Sequence, residues 1–145
     1  MQKPISYDGK LFIDPRGSVR FVNDFTFDDV KRFYEVEHTE DTPRAFHGHL
    51  KEAKYVYVTR GSVLLCAVVL DDAIAPSRDN QVYKYLLNAD NPKVIYIPAG
   101  YANGFQVLEK NSKVIFFSTA SVEESKNDDY RFPYDYWGRE IWDAK

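Results

Sequence analysis

Two histidines stand two residues apart in Arg44-Ala45-Phe46-His47-Gly48-His49. On a strand both imidazoles would lie on one face, because side chains alternate at period two. Neutral imidazole takes up a proton near pH 7 and gives it back as imidazolium, so such a pair suits proton abstraction and return. Lys54 opens Lys54-Tyr55-Val56-Tyr57-Val58-Thr59, in phase with Val56 and Val58. A lysine in phase with valines either snorkels from a strand end or enters a pocket, where its ammonium would steady an oxyanion. Arg32 and Tyr34 share a strand face, Arg16 follows Asp14 at a turn, and Arg44 precedes the histidines. Each arginine alone is a solvated charge; together they could supply the guanidinium forks that a pyrophosphate prefers. The third histidine, His38, falls at a strand end and is expected to face solvent.

The elements that must hold these groups read as strands. Candidate strands cover 10–14, 18–23, 32–37, 44–49, 54–59, 62–70, 82–88, 94–98, 103–108 and 114–119. Breakers separate them at Asp14-Pro15-Arg16-Gly17, Arg60-Gly61, Ala75-Pro76-Ser77, Asn91-Pro92 and Pro98-Ala99-Gly100. A helical period is confined to Phe27–Lys31, a single turn. Regular short strands argue for a sandwich or barrel. With 145 residues and no linker, repeat or low-complexity tract, the expectation is one domain over 1–145. The polar, aromatic tail Asp128–Lys145 is expected to pack across the barrel rather than build its own core.

Composition narrows the function. A net charge of −3 gives no general reason to bind nucleic acid or an acidic membrane, though local Arg and Lys could still grip a nucleotide phosphate. Aromatic content of 16%, with 11 Tyr and 10 Phe, suits a sheet-rich fold with a lined pocket. The one cysteine, Cys66, cannot form an internal disulfide and lies in an apolar run, so it reads as a small buried hydrophobe. No apolar leader follows Met1 and no run reaches transmembrane length, which makes the cytoplasm the expected compartment.

The histidine spacing resembles the first motif of cupin β-barrels: His-x-His, four residues, a Glu ligand, six residues, Gly. Here Leu50–Ala53 are the four, Tyr55–Arg60 the six, and Gly61 the Gly, but Lys54 holds the Glu position. An ammonium has no lone pair for a cation and would repel one. The second cupin motif, Pro-x-Gly-x-x-His, resembles Pro98-Ala99-Gly100-Tyr101-Ala102-Asn103, with Asn103 in place of the final ligand. Only the histidine pair is left as strong donors, fewer than a tight first-row metal site takes, so no metal is expected.

Within that fold the chain resembles two groups of deoxysugar enzymes over nearly its whole length. The dTDP-4-keto-6-deoxyglucose 3,4-ketoisomerases carry Arg-Gly-x-His-Ala-His after a Lys-Arg-x-Tyr strand, similar to Arg44–His49 after Lys31–Tyr34; their C-terminal ends resemble Asp129-Tyr130-Arg131 and Tyr134-Asp135. The dTDP-4-dehydrorhamnose 3,5-epimerases share Asp-x-Arg-Gly (Asp14–Gly17), Ala-Lys (Ala53-Lys54) and Ile-Pro-x-Gly-Tyr/Phe-Ala-x-Gly-Phe (Ile97–Phe105). In those epimerases a Tyr on the strand matching Val114–Thr119 donates a proton, and the alignment sets Phe117 there.

The resemblance implies an all-β cupin jelly roll (double-stranded β-helix) that isomerises a nucleotide-linked keto sugar for deoxysugar or polysaccharide biosynthesis. It implies no cofactor. Both reactions begin by removing a proton beside a sugar ketone. For 3,4-ketoisomerisation through an enediol, His47 is expected as base, His49 as shuttle and Lys54 as support for the enediolate. Arg16, Arg32, Tyr34, Arg44 and Asn103 are expected to bind substrate. The relatives imply a homodimer that exchanges N-terminal strands, through which Arg16 would reach the partner's pocket. Three rivals stand beside this reading. The first is a 3,5- or mono-epimerase with Tyr130, Tyr134 or Tyr136 folded over the pocket; the others are a non-catalytic sugar-binding cupin and a metal-dependent cupin.

Overall fold

In the computed structural model, which describes residues 2–144, the elements run β1 (Ile5–Asp8), β2 (Lys10–Asp14), β3 (Gly17–Phe21), β4 (Arg32–Val36), β5 (Arg44–His49) and β6 (Lys54–Arg60). Then follow β7 (Ser62–Val69), β8 (Val82–Asn88), β9 (Lys93–Ile97), β10 (Tyr101–Val107), β11 (Lys113–Ser118), α1 (Val122–Lys126), β12 (Tyr130–Arg131) and a 3-10 turn at Arg139–Trp142. Two five-stranded antiparallel sheets form, ordered β1-β9-β6-β11-β4 and β12-β5-β10-β7-β8. Taking β4 to β11 alone, the orders 4-11-6-9 and 5-10-7-8 are the two interleaved Greek keys of a jelly roll, the all-β cupin architecture.

Two cores explain why strand segments differ in pattern. Between the sheets, Val56, Val58, Leu65, Ala67, Ile95, Ile97, Phe105, Val114 and Phe116 interdigitate. On the outer face of the second sheet, Phe46, Leu64, Cys66, Val68 and Ala102 pack under Phe132, Trp137, Ile141 and Trp142. β7 is therefore covered on both faces, and Val63–Val68 read as an unbroken apolar run. The tail does pack across the barrel, and in doing so completes this second core. Cys66 lies within it, and burial pushes its thiol up to about 12, out of the nucleophilic range.

The β2–β3 hairpin stands apart as its own two-stranded sheet and exposes Phe12, Ile13 and Val19. Three short elements have no strong sequence pattern. β1 is a four-residue edge strand on β9, β12 pairs only Tyr130 and Arg131 with β5, and α1 is a five-residue helix. The capping box Ser121…Glu124 is the local signal for α1. At Phe27–Lys31 the chain makes one turn, closed by Val30 N–H on the Phe27 carbonyl. No helix among the described residues is long and apolar enough to cross a membrane.

Candidate active site

Between the sheets, at the end where β4, β5, β6, β10 and β11 converge, a cavity of about 390 Å³ opens to solvent, within the size range of small-molecule sites. His47 enters it from β5, Lys54 from β6, Asn103 from β10, Tyr34 from β4 and Phe116 from β11. Register sets these neighbours: Asn103 pairs with His47, and Tyr34 with Phe116. Directly opposed residues of an antiparallel pair present their side chains side by side.

Arg44 joins the same wall by a β-bulge. His47 pairs with Asn103 but Arg44 with Phe105, so three steps on β5 oppose two on β10. Ala45 and Phe46 both turn to the second core, and Arg44 swings back into phase with His47. The bulge brings the Ala45 backbone against Gly104, where a Cβ would lie 2.1 Å from Ala45 Cβ; only glycine fits.

Lys54 is 7% exposed, with its Nζ 5.6 Å from the ring centroids of both Tyr34 and Phe116. Those rings stack at 5.3 Å and 14°. Of the two sequence alternatives for this lysine, the pocket holds and the snorkel does not. Burial first, then the charges of Arg131 and Lys54, push the His47 imidazole down to about 4. A neutral base thus persists well below pH 6.

His49 lies deeper and is not part of the cavity wall; it is 7% exposed. Its Nδ1 is 2.6 Å from the Asp128 carbonyl, which can only accept, so Nδ1 carries the proton and Nε2 presents a bare lone pair. Nε2 is buried with no hydrogen-bond partner among the described residues. Burial, then the Lys54 charge, lower this imidazole as well, against the Asp128 carbonyl and the carboxylates of Glu52 and Asp128.

Two expected substrate contacts are placed elsewhere. Arg32 turns to the base of the site, donating Nε to the Ala120 carbonyl and Nη2 to Ser125 Oγ, with Glu52 at 3.7 Å. Arg16 sits at the tip of the β2–β3 hairpin, paired with Asp14 at 2.7 Å, its side chain 88% exposed. His38 is half-buried rather than solvent-facing, with Nε2 at 2.8 Å from the Thr42 carbonyl and its ring edge-on to Phe105. Phe117 faces outward, clustered with Phe25, Phe27 and Phe33; the cavity-facing residue of β11 is Phe116. Tyr130, Tyr134 and Tyr136 pack on the second core, on the far side of the sheet. No cluster of three His, Cys, Asp or Glu with the geometry of a metal site occurs among the described residues.

Sequence patterns alone missed Glu52, Ser118, Ser125 and Asp128. The Asp128 carboxylate accepts the backbone N–H groups of Leu50, Lys51 and Glu52 and closes the β5–β6 turn. No short motif links residues 76 to 78 positions apart. Arg131 was visible only through the family resemblance; it pairs opposite His47 on β12 and carries the largest charge effect on it.

The family model described as dTDP-4-dehydrorhamnose 3,5-epimerase matches residues 9–133. A Bacillus subtilis (strain 168) protein, the spore coat polysaccharide biosynthesis protein SpsL, is 33% identical over 94 residues, 63% of this chain and 60% of that protein. The match thus spans less than two thirds of that relative's length. Among solved structures, a dTDP-4-dehydrorhamnose 3,5-epimerase from Sulfolobus tokodaii superposes with a TM-score of 0.74 at 26% identity, covering 92% of this chain and 78% of that one. QdtA, a sugar 3,4-ketoisomerase from Thermoanaerobacterium thermosaccharolyticum in complex with TDP, superposes at 0.69 and 20% identity over 94% and 93%.

Proposed function

The chain belongs to the dTDP-4-dehydrorhamnose 3,5-epimerase family, and from that footing we propose that it isomerises a nucleotide-linked 4-keto-6-deoxyhexose, moving the carbonyl from C4 to C3. The observation that carries the reading is a neutral imidazole, His47, in a cavity whose buried cation is Lys54 and whose wall also carries Arg44. His47 takes the C3 proton, and the bonding pair becomes the C3=C4 double bond as charge moves to O4. Lys54 faces that developing oxyanion, and Asn103 adds a donor beside it. The proton held by His47 passes to O4 and gives the enediol. The O3 proton then leaves to the histidine pair and returns at C4, leaving a carbonyl at C3; His49, behind the cavity wall, is the proposed shuttle. Protons and electron pairs balance without a redox cofactor.

Arg44, on the cavity wall, is suited to bind phosphate. Arg16 would act from a second copy: the hairpin that carries it exposes Phe12, Ile13 and Val19, a surface suited to burial in a homodimer.

A second reading is favoured by Tyr34. Position 116, facing the cavity from β11, is phenylalanine, but its direct cross-strand neighbour carries a phenol in the same cavity. With Tyr34 as proton donor, the same enolate would be reprotonated at carbon, and delivery on the face opposite to abstraction would give an epimer.

Proton NMR with dTDP-4-keto-6-deoxyglucose in deuterated water separates these readings. Deuterium at C4 of a new 3-keto sugar, whose C3 carbonyl bears no hydrogen, supports ketoisomerisation. Deuterium at C3 or C5 with inverted couplings supports epimerisation. Binding without exchange at carbon would make the protein a sugar-binding cupin and overturn both.

A further inference from the structure

Beneath the cavity, His49, Glu52, Lys54 and Asp128 are buried together. Asp128 is fully used, as acceptor for three backbone N–H groups. Glu52 contributes nothing to that turn through its side chain. Its Oε2 accepts the Ser118 hydroxyl and its Oε1 the Ser125 hydroxyl, each at 2.5 Å. The Arg32 guanidinium lies 3.7 Å from Oε2, and Oε1 lies 3.5 Å from Nδ1 of His49. Taking a carboxylate out of water costs several kcal/mol unless partners compensate it. Here β4, β11 and α1 each supply one, and all of them hold it against one imidazole.

That imidazole is where the charge is useful. Its tautomer is already set by the Asp128 carbonyl, and the unpartnered Nε2 is the only atom that can take another proton. Protonated there, a ring this deeply buried needs a neighbouring anion. Lys54 from β6 opposes the charge, Tyr101 on β10 pairs across from it without charge, and His47 stands two residues away on the same strand. Glu52 and Asp128 are the negative groups facing it. From this geometry we infer that Glu52 is the positioning residue of His49: clamped by Arg32, Ser118 and Ser125, it is the counter-charge that lets the buried imidazole carry the shuttled proton. This rests on the proposed shuttle role of His49. It also gives Arg32 a task other than phosphate binding.

The test follows the His49 ring by nitrogen NMR in the full chain without substrate. Glu52→Gln keeps shape and hydroxyl partners but removes the charge. It should move the His49 midpoint to lower pH by at least about one unit, with Nδ1 still protonated. Ser125→Ala strips a donor from Oε1, concentrates negative charge beside the ring, and should move the midpoint the other way. Opposite signs are not expected of a merely structural role. An unmoved midpoint in Glu52→Gln, or in Ser125→Ala should the first variant not fold, overturns the inference. In turnover, Glu52→Gln should lose about tenfold with KM unchanged, and nothing further in a His49→Asn background. Equal losses in both backgrounds also overturn it. Because the titration needs no substrate, a wrong reaction assignment would leave its result standing.

Discussion

Arg44 and His47 face the same cavity although they stand three positions apart, a spacing that strict strand alternation forbids. The bulge at Ala45-Phe46, accommodated by the bare Cα of Gly104, re-aims the guanidinium toward the imidazole. The proposed anion-binding and proton-abstracting groups are thereby set side by side on one strand.

Replacing His47 with Asn should lower turnover by at least ~10²-fold, the usual contribution of a positioned base. Circular dichroism and the melting temperature should be unchanged, since the ring makes no side-chain hydrogen bond across the described residues. A variant turning over near the normal rate would remove His47 from that role.

The pH dependence follows from the same ring. With His47 held near 4, the base stays neutral through pH 5–8, so the acid limb of the rate profile should fall near pH 4 rather than 6.5. Stability should move the opposite way to a salt-bridged histidine. Between pH 6.5 and 4 the unfolded chain binds the proton that the folded chain refuses, so unfolding becomes easier as pH falls through that window. The His49 shift has the same sign. Urea midpoints at pH 7 and pH 5 should show the loss, and His47→Asn should flatten it.

Lys54→Met should separate function from stability. The ammonium is 7% exposed, forms no ion pair within 4.0 Å among the described residues, and sits against two aromatic rings. Methionine fills much of that volume without a desolvated charge. The melting temperature should hold or rise, while turnover falls by roughly 10²–10³-fold, as when an oxyanion donor is removed.

Arg32→Ala and Arg44→Ala should fail differently. Arg44→Ala should raise KM or the Kd for the nucleotide with little change in melting temperature. Arg32→Ala strips partners from Ala120, Ser125 and the buried Glu52, and should cost about 3 kcal/mol in denaturant unfolding. Reversed outcomes would return Arg32 to the substrate.

Asp128→Ala leaves three buried or half-buried N–H groups without their acceptor and frees the turn beneath the histidines. A loss of about 3 kcal/mol is expected, read from urea unfolding.

Much of this protein is a local property of its sequence. Apolar residues, alternating along strands such as β6 and continuous in β7, between Gly and Pro breakers mark β4 to β11, and period two alone puts His47 and His49 on one face with Lys54 in phase with buried valines. The His-x-His spacing with a lysine five residues on is likewise readable in one dimension, and so is the likeness to the two deoxysugar enzyme groups. What only the tertiary structure decided lies where residues distant in sequence meet. Arg32 and Tyr34 are equivalent by alternation, yet Tyr34 reaches the cavity while Arg32 is captured by Glu52, Ala120 and Ser125, up to 93 positions away. The two histidines share a face but not an environment, because Asp128 and Glu52 enclose one and leave the other at the wall. Phe116 rather than Phe117 faces inward because the β11 pairing with β4 and β6 sets its phase. Alternation fixes which residues share a face; only long-range pairing decides what that face meets.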